Sequence, residues 1–367
     1  MFPLRICFLS LASYPTLAGK NMGYAGGAEI EQVHLGVELT ALGYDVCFVT
    51  YSDGLESNEK VRGIQVIKTY DREKARKINT LVKFKSIWSA LETAKADIYF
   101  HEAGSMGVLP LFCRIHRKKF VHRIASDTIV LSKLPIGTPS FSENLSAILE
   151  VKTADTVVAQ SKFQKRVLKE RFDVESVLIK NGLFIPQVDC EKPDPPVILW
   201  VGSLSRIKNP ELFIKLAKSL PNVHFEMIGG RGDPPQLYDE IVANAKRETN
   251  LTFHGFVPYN KIEKHFRRAS VFVNTSSMEG FPNTFIQAWA HYIPVVSLNA
   301  DPDNVIEDEK IGFCSGTFRQ LVSDVTSLLE HENQRKTLGE NARNYVEREH
   351  DVRITVKKYC TIFEGLF

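Results

Sequence analysis

The chain contains no C-x-x-C pair. Its six cysteines, Cys7, Cys47, Cys113, Cys190, Cys314 and Cys360, are scattered over 367 residues. This spacing suggests neither a cysteine-based zinc site nor a disulfide framework, and reads as reduced thiols of a cytosolic protein. Long hydrophobic runs are missing as well. Met1 to Ala12 is apolar but carries Arg5; it is too short to span a bilayer and lacks the layout of a signal peptide. Leu4–Leu11 reads better as a first buried strand. The formal net charge of +3 is too small to imply nucleic acid. No G-x-G-x-x-G fingerprint is present, which argues against a dinucleotide cofactor. No short internal repeat is evident.

What is present fits a soluble α/β protein of two domains. Hydrophobic residues make up 44% and charged residues 24%, ordinary globular values. Strand candidates at Leu4–Leu11, Asp45–Thr50, Gln65–Ile67, Ile98–Phe100, Phe120–Ile124, Thr156–Ala159 and Ser176–Ile179 alternate with helical stretches such as Ile30–Leu42, Thr80–Ala94 and Lys162–Arg171. Asn181–Pro196 is rich in proline and charge and reads as a linker. The pattern then restarts at Val197–Val201, with strands near Phe225–Ile228, Thr252–Phe253, Val271–Asn274 and Val295–Leu298. Arg319–Leu366 reads as mostly helical. Alternation of this kind predicts parallel sheets covered on both faces.

Chemistry concentrates at strand ends. The segment Ser276–Pro294, SSMEGFPNTFIQAWAHYIP, follows the apolar run Val271–Val273. It reads as a loop through Asn283 and then a helix from Thr284, so helix N–H groups point back into the loop and attract anions. Glu279 is the loop's carboxylate, and core packing does not explain it. Gln287 lies about 12 Å further along a helical path. A Gly26-Gly27 pair opens the first long helix, with Glu29 in its first turn; the plain reading of Glu29 is dipole complementation. Gly202-Ser203-Leu204-Ser205-Arg206-Ile207-Lys208-Asn209-Pro210 sets cations between a strand end and a helix start. Gly229-Gly230-Arg231-Gly232 ends another strand. His122, and the pair His101-Glu102, end strands of the first half. Asp301-Pro302-Asp303 is read as a turn, and no obligatory metal is expected.

These motifs, in this order, resemble retaining GT-B glycosyltransferases of family 4. That family reads E-G-F/x-P-x-x-x-x-E-A-x-A; Glu279 matches the first glutamate and Gln287 stands at the second. The resemblance implies two Rossmann-like domains facing across a cleft: 1–182 binding the acceptor, 183–196 as linker and 197–347 binding a nucleotide-sugar, with a last helix near 348–367 crossing back. It implies that Glu279 lies beside the donor sugar and that residue 287 hydrogen-bonds the ribose. It places Gly26 and Gly27 near the donor phosphates, and Gly230 and Phe256 near the base. Gly280, Phe281, Pro282, Asn283 and Thr284 come with the signature loop. The family's G-R-L-x-x-x-K has Ser203 at the arginine and Lys208 at the lysine, so Arg206 is the candidate to supply the missing guanidinium. A histidine at His122 would position the sugar. The implied reaction moves a sugar from a UDP- or GDP-linked donor to an acceptor hydroxyl with retention, the leaving phosphate taking the acceptor's proton.

Relatives of this kind serve polysaccharide, lipopolysaccharide or glycolipid assembly. Lys74, Arg76, Lys77, Lys83 and Lys85, interleaved with apolar residues, and a second cluster at Arg114, Arg117, Lys118 and Lys119 suit either a solvated surface or peripheral contact with an anionic membrane. Three other readings remain at this point: a non-catalytic nucleotide-binding relative, a two-domain nucleotide-sugar epimerase and an NAD-dependent oxidoreductase.

Overall fold

The computed structural model describes residues 3–24, 26–53, 59–75, 77–102, 107–127, 131, 141–189 and 192–367. Ala25 of the Gly26 loop, Arg76 and Cys190 lie outside the described residues. The chain divides into two compact units, one of residues 1–20, 25–183 and 352–367, the other of 21–24 and 184–351.

The first unit is built on strands β1 (Arg5–Leu9), β2 (Asp45–Thr50), β3 (Glu59–Val61), β4 (Ile64–Lys68), β5 (Ile98–His101), β6 (Lys119–Arg123), β7 (Thr156–Ala159) and β8 (Ser176–Leu178). Their order is β3-β4-β2-β1-β5-β6-β7-β8, parallel except where β3 meets β4. Helices α1 (Tyr14–Ala18), α2 (Gly27–Ala41), α3 (Thr80–Ala94), α4 (Val108–His116), α5 (Phe141–Thr153) and α6 (Lys162–Phe172) lie between them in sequence. Successive side chains in a strand point to opposite faces, and β1 shows the result. Cys7 and Leu9 join a core with Ile87 and Leu91 of α3 and Phe112 of α4. Phe8 stacks on Phe48 at 4.8 Å, and Phe100 meets Tyr359 at 5.8 Å on the other face.

The second unit carries β9 (Val197–Val201), β10 (His224–Ile228), β11 (Leu251–Phe253), β12 (Val271–Asn274), β13 (Val295–Ser297) and β14 (Gly312–Cys314), ordered β11-β10-β9-β12-β13-β14 and parallel. Counted within this unit the order is 3-2-1-4-5-6, that of a dinucleotide-binding Rossmann sheet. The helices are α7 (Pro210–Ser219), α8 (Gln236–Ala245), α9 (Tyr259–Arg268), α10 (Asn283–Ala290), α11 (Val305–Asp308), α12 (Phe318–Glu330) and α13 (Glu332–Glu349); α14 (Val352–Glu364) belongs to the first unit. Ile198, Trp200, Phe225, Val271 and Val273 pack with Phe213 of α7 and Leu321, Val325 and Leu328 of α12. Phe272, on the opposite face, meets Phe266 of α9 and Phe285 of α10, so both faces of the sheet are buried and β12 reads as a continuous apolar run. Asp301 accepts from the Ile306 N–H at 2.9 Å, so the Asp301-Pro302-Asp303 segment serves the start of α11.

Candidate active site

In an open α/β sheet, ligands bind outside the carboxyl ends of the strands where the order reverses. In the second unit that point lies between β9 and β12. The loops leaving these two strands are fastened to each other. Trp200 Nε1 donates to Thr275 Oγ1 at 3.0 Å, and the Thr275 hydroxyl donates to the Lys208 carbonyl at 2.7 Å. Asn209 Nδ2 donates to the Thr275 carbonyl at 3.0 Å, and the Ser277 N–H to the Ile207 carbonyl at 2.8 Å.

This fastening brings Lys208 and Glu279, 71 residues apart, to an Nζ–Oε1 distance of 2.5 Å. The same carboxylate oxygen accepts from Ser276 Oγ at 2.6 Å and Asn274 Nδ2 at 3.3 Å. Asn274 is itself fixed, because its Oδ1 accepts the Ser276 N–H at 3.1 Å. Glu279 is thus held through Oε1 by three donors, while its side chain keeps 10% exposure and Lys208 keeps 28%. Asn274, Thr275 and Ser276 went unnoticed in the sequence; the signal was a polar Asn-Thr-Ser tail on an otherwise apolar strand.

The surrounding residues take several different positions. Helix α10 starts after Pro282 with no side-chain cap and no acidic residue in its first turn, leaving its positive end unopposed. Asn283 and Thr284 form that first turn. Gly280 is partly exposed, whereas Phe281 is buried against Trp289 and His350 and acts as the loop's anchor. Gln287 is half-buried and hydrogen-bonds the Tyr259 hydroxyl, whose pKa burial pushes up to about 12. Ser203 and Arg206 are exposed, and among the described residues no partner holds the Arg206 guanidinium. The glycine loop after β10 lies against the β9 loop so closely that a Cβ at Gly229 would sit 2.6 Å from the Gly202 carbonyl and one at Gly232 2.5 Å from that of Leu204. Gly230 borders the Phe256 ring, 3.1 Å from where a Cβ would stand.

In the first unit the order reverses between β1 and β5. Gly26 caps α2, and the Glu29 carboxylate folds back over Gly26, so a Cβ there would collide with it. Burial raises the Glu29 pKa, opposed by its own backbone N–H. That is the dipole-complementing arrangement. His122 is in the interior, 1% exposed, with neither ring nitrogen hydrogen-bonded. Its neighbours are Glu150 Oε2 at 3.6 Å and His101, whose Nδ1 is 3.2 Å from the same oxygen. The strand continues through Arg123, and a sheet covered on both faces hides its middle residues. In this arrangement His122 is a buried group beside His101 and Glu150. Burial lowers its pKa to about 4, against the opposing charge of Glu150.

A buried neutral histidine has a consequence for acid stability. The unfolded ring titrates near its ordinary 6.5, so below that pH the unfolded chain binds a proton that the folded chain refuses. The stability present above pH 6.5 is lost as pH falls through about 4, by roughly 3 kcal/mol for His122. His291, also lowered to about 4 by burial, adds in the same direction. Urea midpoints measured between pH 7.5 and 4.5 should fall, and His122→Asn should flatten that fall. Parallel curves for the two proteins would show that His122 is not the group responsible.

Comparison with known proteins decides the family. The Glycosyltransferase Family 4 model matches residues 25–183, and that for Glycosyl transferases group 1 matches 184–345. The chain belongs to glycosyltransferase family 4. This glycosyltransferase is 26% identical to the alpha-monoglucosyldiacylglycerol synthase of Acholeplasma laidlawii, over 92% of both chains. It is 25% identical to the sulfoquinovosyl transferase SQD2 of Arabidopsis thaliana, over 63% of this chain and 43% of that one. Among solved structures, a sucrose-phosphate synthase from Thermosynechococcus elongatus superposes with a TM-score of 0.81 at 19% identity, covering 99% of each chain. HepE of Anabaena, solved with UDP-glucose, gives 0.77 at 16% identity, covering 99% of this chain and all of that one. The fold of this family 4 enzyme is therefore GT-B, with two Rossmann-like units.

Proposed function

We propose that this glycosyltransferase moves a hexosyl group, with retention, from a UDP-sugar to the hydroxyl of a lipid acceptor at a membrane surface. The observation that carries the reading is the Lys208–Glu279 pair at the point where the second unit's strand order reverses. As the sugar–phosphate bond breaks, positive charge grows on the sugar ring and negative charge on the departing diphosphate. Glu279, held through Oε1, offers its remaining oxygen to the ring. Lys208, Arg206 and the start of α10 meet the diphosphate charge, so no metal is obligatory for this step. The new bond joins the anomeric carbon to the acceptor oxygen, and the departing phosphate oxygen takes the acceptor's proton on the same face. Gln287, which keeps a carbonyl acceptor, would receive a ribose hydroxyl. Gly230 and Phe256 would border the base.

The Acholeplasma relative, an alpha-monoglucosyldiacylglycerol synthase, favours a lipid acceptor, and the complex of HepE with UDP-glucose favours UDP. The surface of the first unit agrees. Leu81 and Val82 of α3, Leu111 and Ile115 of α4, and Ile148 and Leu149 of α5 are exposed apolar residues. Lys83, Lys85, Arg114, Arg117 and Lys118 are distributed among them. An apolar surface edged with cations suits an anionic bilayer. Among the described residues no helix is long and apolar enough to cross a membrane, so the contact proposed is peripheral.

The test is sugar transfer from UDP-glucose and other nucleotide-sugars to diacylglycerol-based acceptors in anionic vesicles. Lys208→Ala should weaken UDP binding by about 10- to 100-fold, the loss of one charge-assisted contact. Unchanged calorimetric affinity would remove Lys208 from the donor site. Transfer to soluble sugars alone, with no dependence on vesicle charge, would overturn the lipid acceptor.

A further inference from the structure

A second group of ionisable side chains lies in the second unit, on residues the transfer reaction does not use. Glu226 is the third residue of β10, and its side chain is 3% exposed. One oxygen of its carboxylate receives two imidazoles: His265 Nδ1 stands 2.6 Å from Oε2, and His254 Nε2 stands 3.2 Å from it. The other oxygen, Oε1, faces His224 Nε2 at 4.0 Å and Arg268 at 3.8 Å. Glu226 pairs in register with Thr252, and His254 lies two residues beyond Thr252. Glu226 and His254 therefore share a sheet face, and α9 brings His265 over it. The two imidazole rings are 4.5 Å apart between centroids.

A simple ion pair needs one histidine on the carboxylate. Here two ring nitrogens and a carboxylate oxygen from three separate elements converge, all within 4.8 Å of one another. Two histidines and one glutamate are a known ligand set for zinc, with bonds of about 2.0–2.2 Å and a fourth position left to water. Tetrahedral bonds of that length separate neighbouring ligand atoms by roughly 3.4 Å. The two separations from Oε2, 2.6 and 3.2 Å, need to open by less than 1 Å to reach that value. The His254 side chain keeps 27% exposure while His265 keeps 7%. Solvent therefore reaches the group from the His254 side. Arg268 stands 3.8 Å from Oε1, the oxygen that the two imidazoles do not share.

We propose that Glu226, His254 and His265 form a binding site for a divalent transition-metal ion of the zinc class. The ion would clamp α9 onto the β10–β11 edge of the sheet. Glu226 lies within β10, three residues before Gly229, and its contacts share no residue with those of the Lys208–Glu279 pair.

The experiment is calorimetric titration of the full chain with zinc after removal of metals by chelator, together with cobalt absorption spectra. The expected result is one zinc per chain, a visible cobalt band of tetrahedral type and no thiolate charge-transfer band. His254→Asn, at a solvent-facing position, should weaken zinc binding by at least about 10-fold while leaving the apo melting temperature and UDP affinity unchanged. His265→Asn should do the same to zinc, with its melting temperature checking that α9 still packs. No saturable binding would overturn the site. So would one equivalent that survives both substitutions, or a thiolate band showing that the ion sits on cysteine.

Discussion

Replacing Glu279 by glutamine should lower sugar transfer by about 10²- to 10³-fold, the range seen when one pre-positioned electrostatic group is removed from a transition state. Glutamine is close to isosteric, and its carbonyl oxygen can still accept from Ser276 and Asn274, as Oε1 of Glu279 does now. The loop should therefore keep its shape. Lys208 loses its anionic partner but remains 28% exposed and can regain water, so the loss of this mostly shielded contact should cost about 1–3 kcal/mol in stability. UDP binding should stay within about threefold of the parent, because a group acting only on the charged sugar leaves the ground state alone. Single-turnover transfer and UDP calorimetry on the same preparation separate these effects. Transfer within threefold of the parent would remove Glu279 from the reaction. Loss of UDP binding in parallel with transfer would make it a donor-binding residue instead.

The largest stability effect should follow from Arg123→Met. Arg123 is 0% exposed, yet it is surrounded by partners. Its Nη2 lies 3.0 Å from Glu31 of α2 and 2.5 Å from Asn181 Oδ1. Its Nε reaches Glu102 at 3.2 Å, and its Nη1 donates to the Ile179 carbonyl at 3.1 Å and the Tyr359 hydroxyl at 2.6 Å. Burial works against the guanidinium's charge, but Glu31, Tyr359 and Glu102 together outweigh it and hold its pKa above the ordinary value. Glu102 is pushed well up, first by burial and then by the charge of Glu31. One cation between two carboxyls thus favours a single negative charge. Removing the cation leaves buried acids uncompensated, and about 3–5 kcal/mol of stability should be lost. Adding Glu31→Gln and Glu102→Gln to the variant should recover part of it, since polar groups without charge cost less to bury. Urea unfolding of the three proteins measures this. A single variant as stable as the parent would show that the network carries little.

The architecture was legible because buried parallel strands announce themselves. Val271–Asn274 and Val197–Val201 are apolar along their length and punctuated by glycine, proline and asparagine, and the structure has strands at both. What escaped the reading was short or remote. Strands β3, Glu59–Val61, and β14, Gly312–Cys314, have three residues each and lack the apolar run that marks Val295–Leu298. Lys208 and Glu279 were each singled out, but their contact depends on β9 and β12 being neighbours, which spacing along the chain does not reveal. His122 stands next to last in β6, as its polar neighbour Arg123 suggests, but the sequence does not show that both side chains are buried. Arg123 is polar and wholly buried, since it makes four hydrogen bonds and a charge contact with Glu31. Its importance could not be seen without Glu31, Glu102 and Tyr359, which approach from distant parts of the chain.

The position of Tyr359 also sets an order of events during synthesis. Helix α14 is made after the whole of residues 184–351, yet Tyr359 and Phe363 are buried with the first unit's aromatic residues. On the ribosome, the unit begun first is completed last. The later unit is continuous apart from 21–24 and can close while the earlier one still lacks a wall.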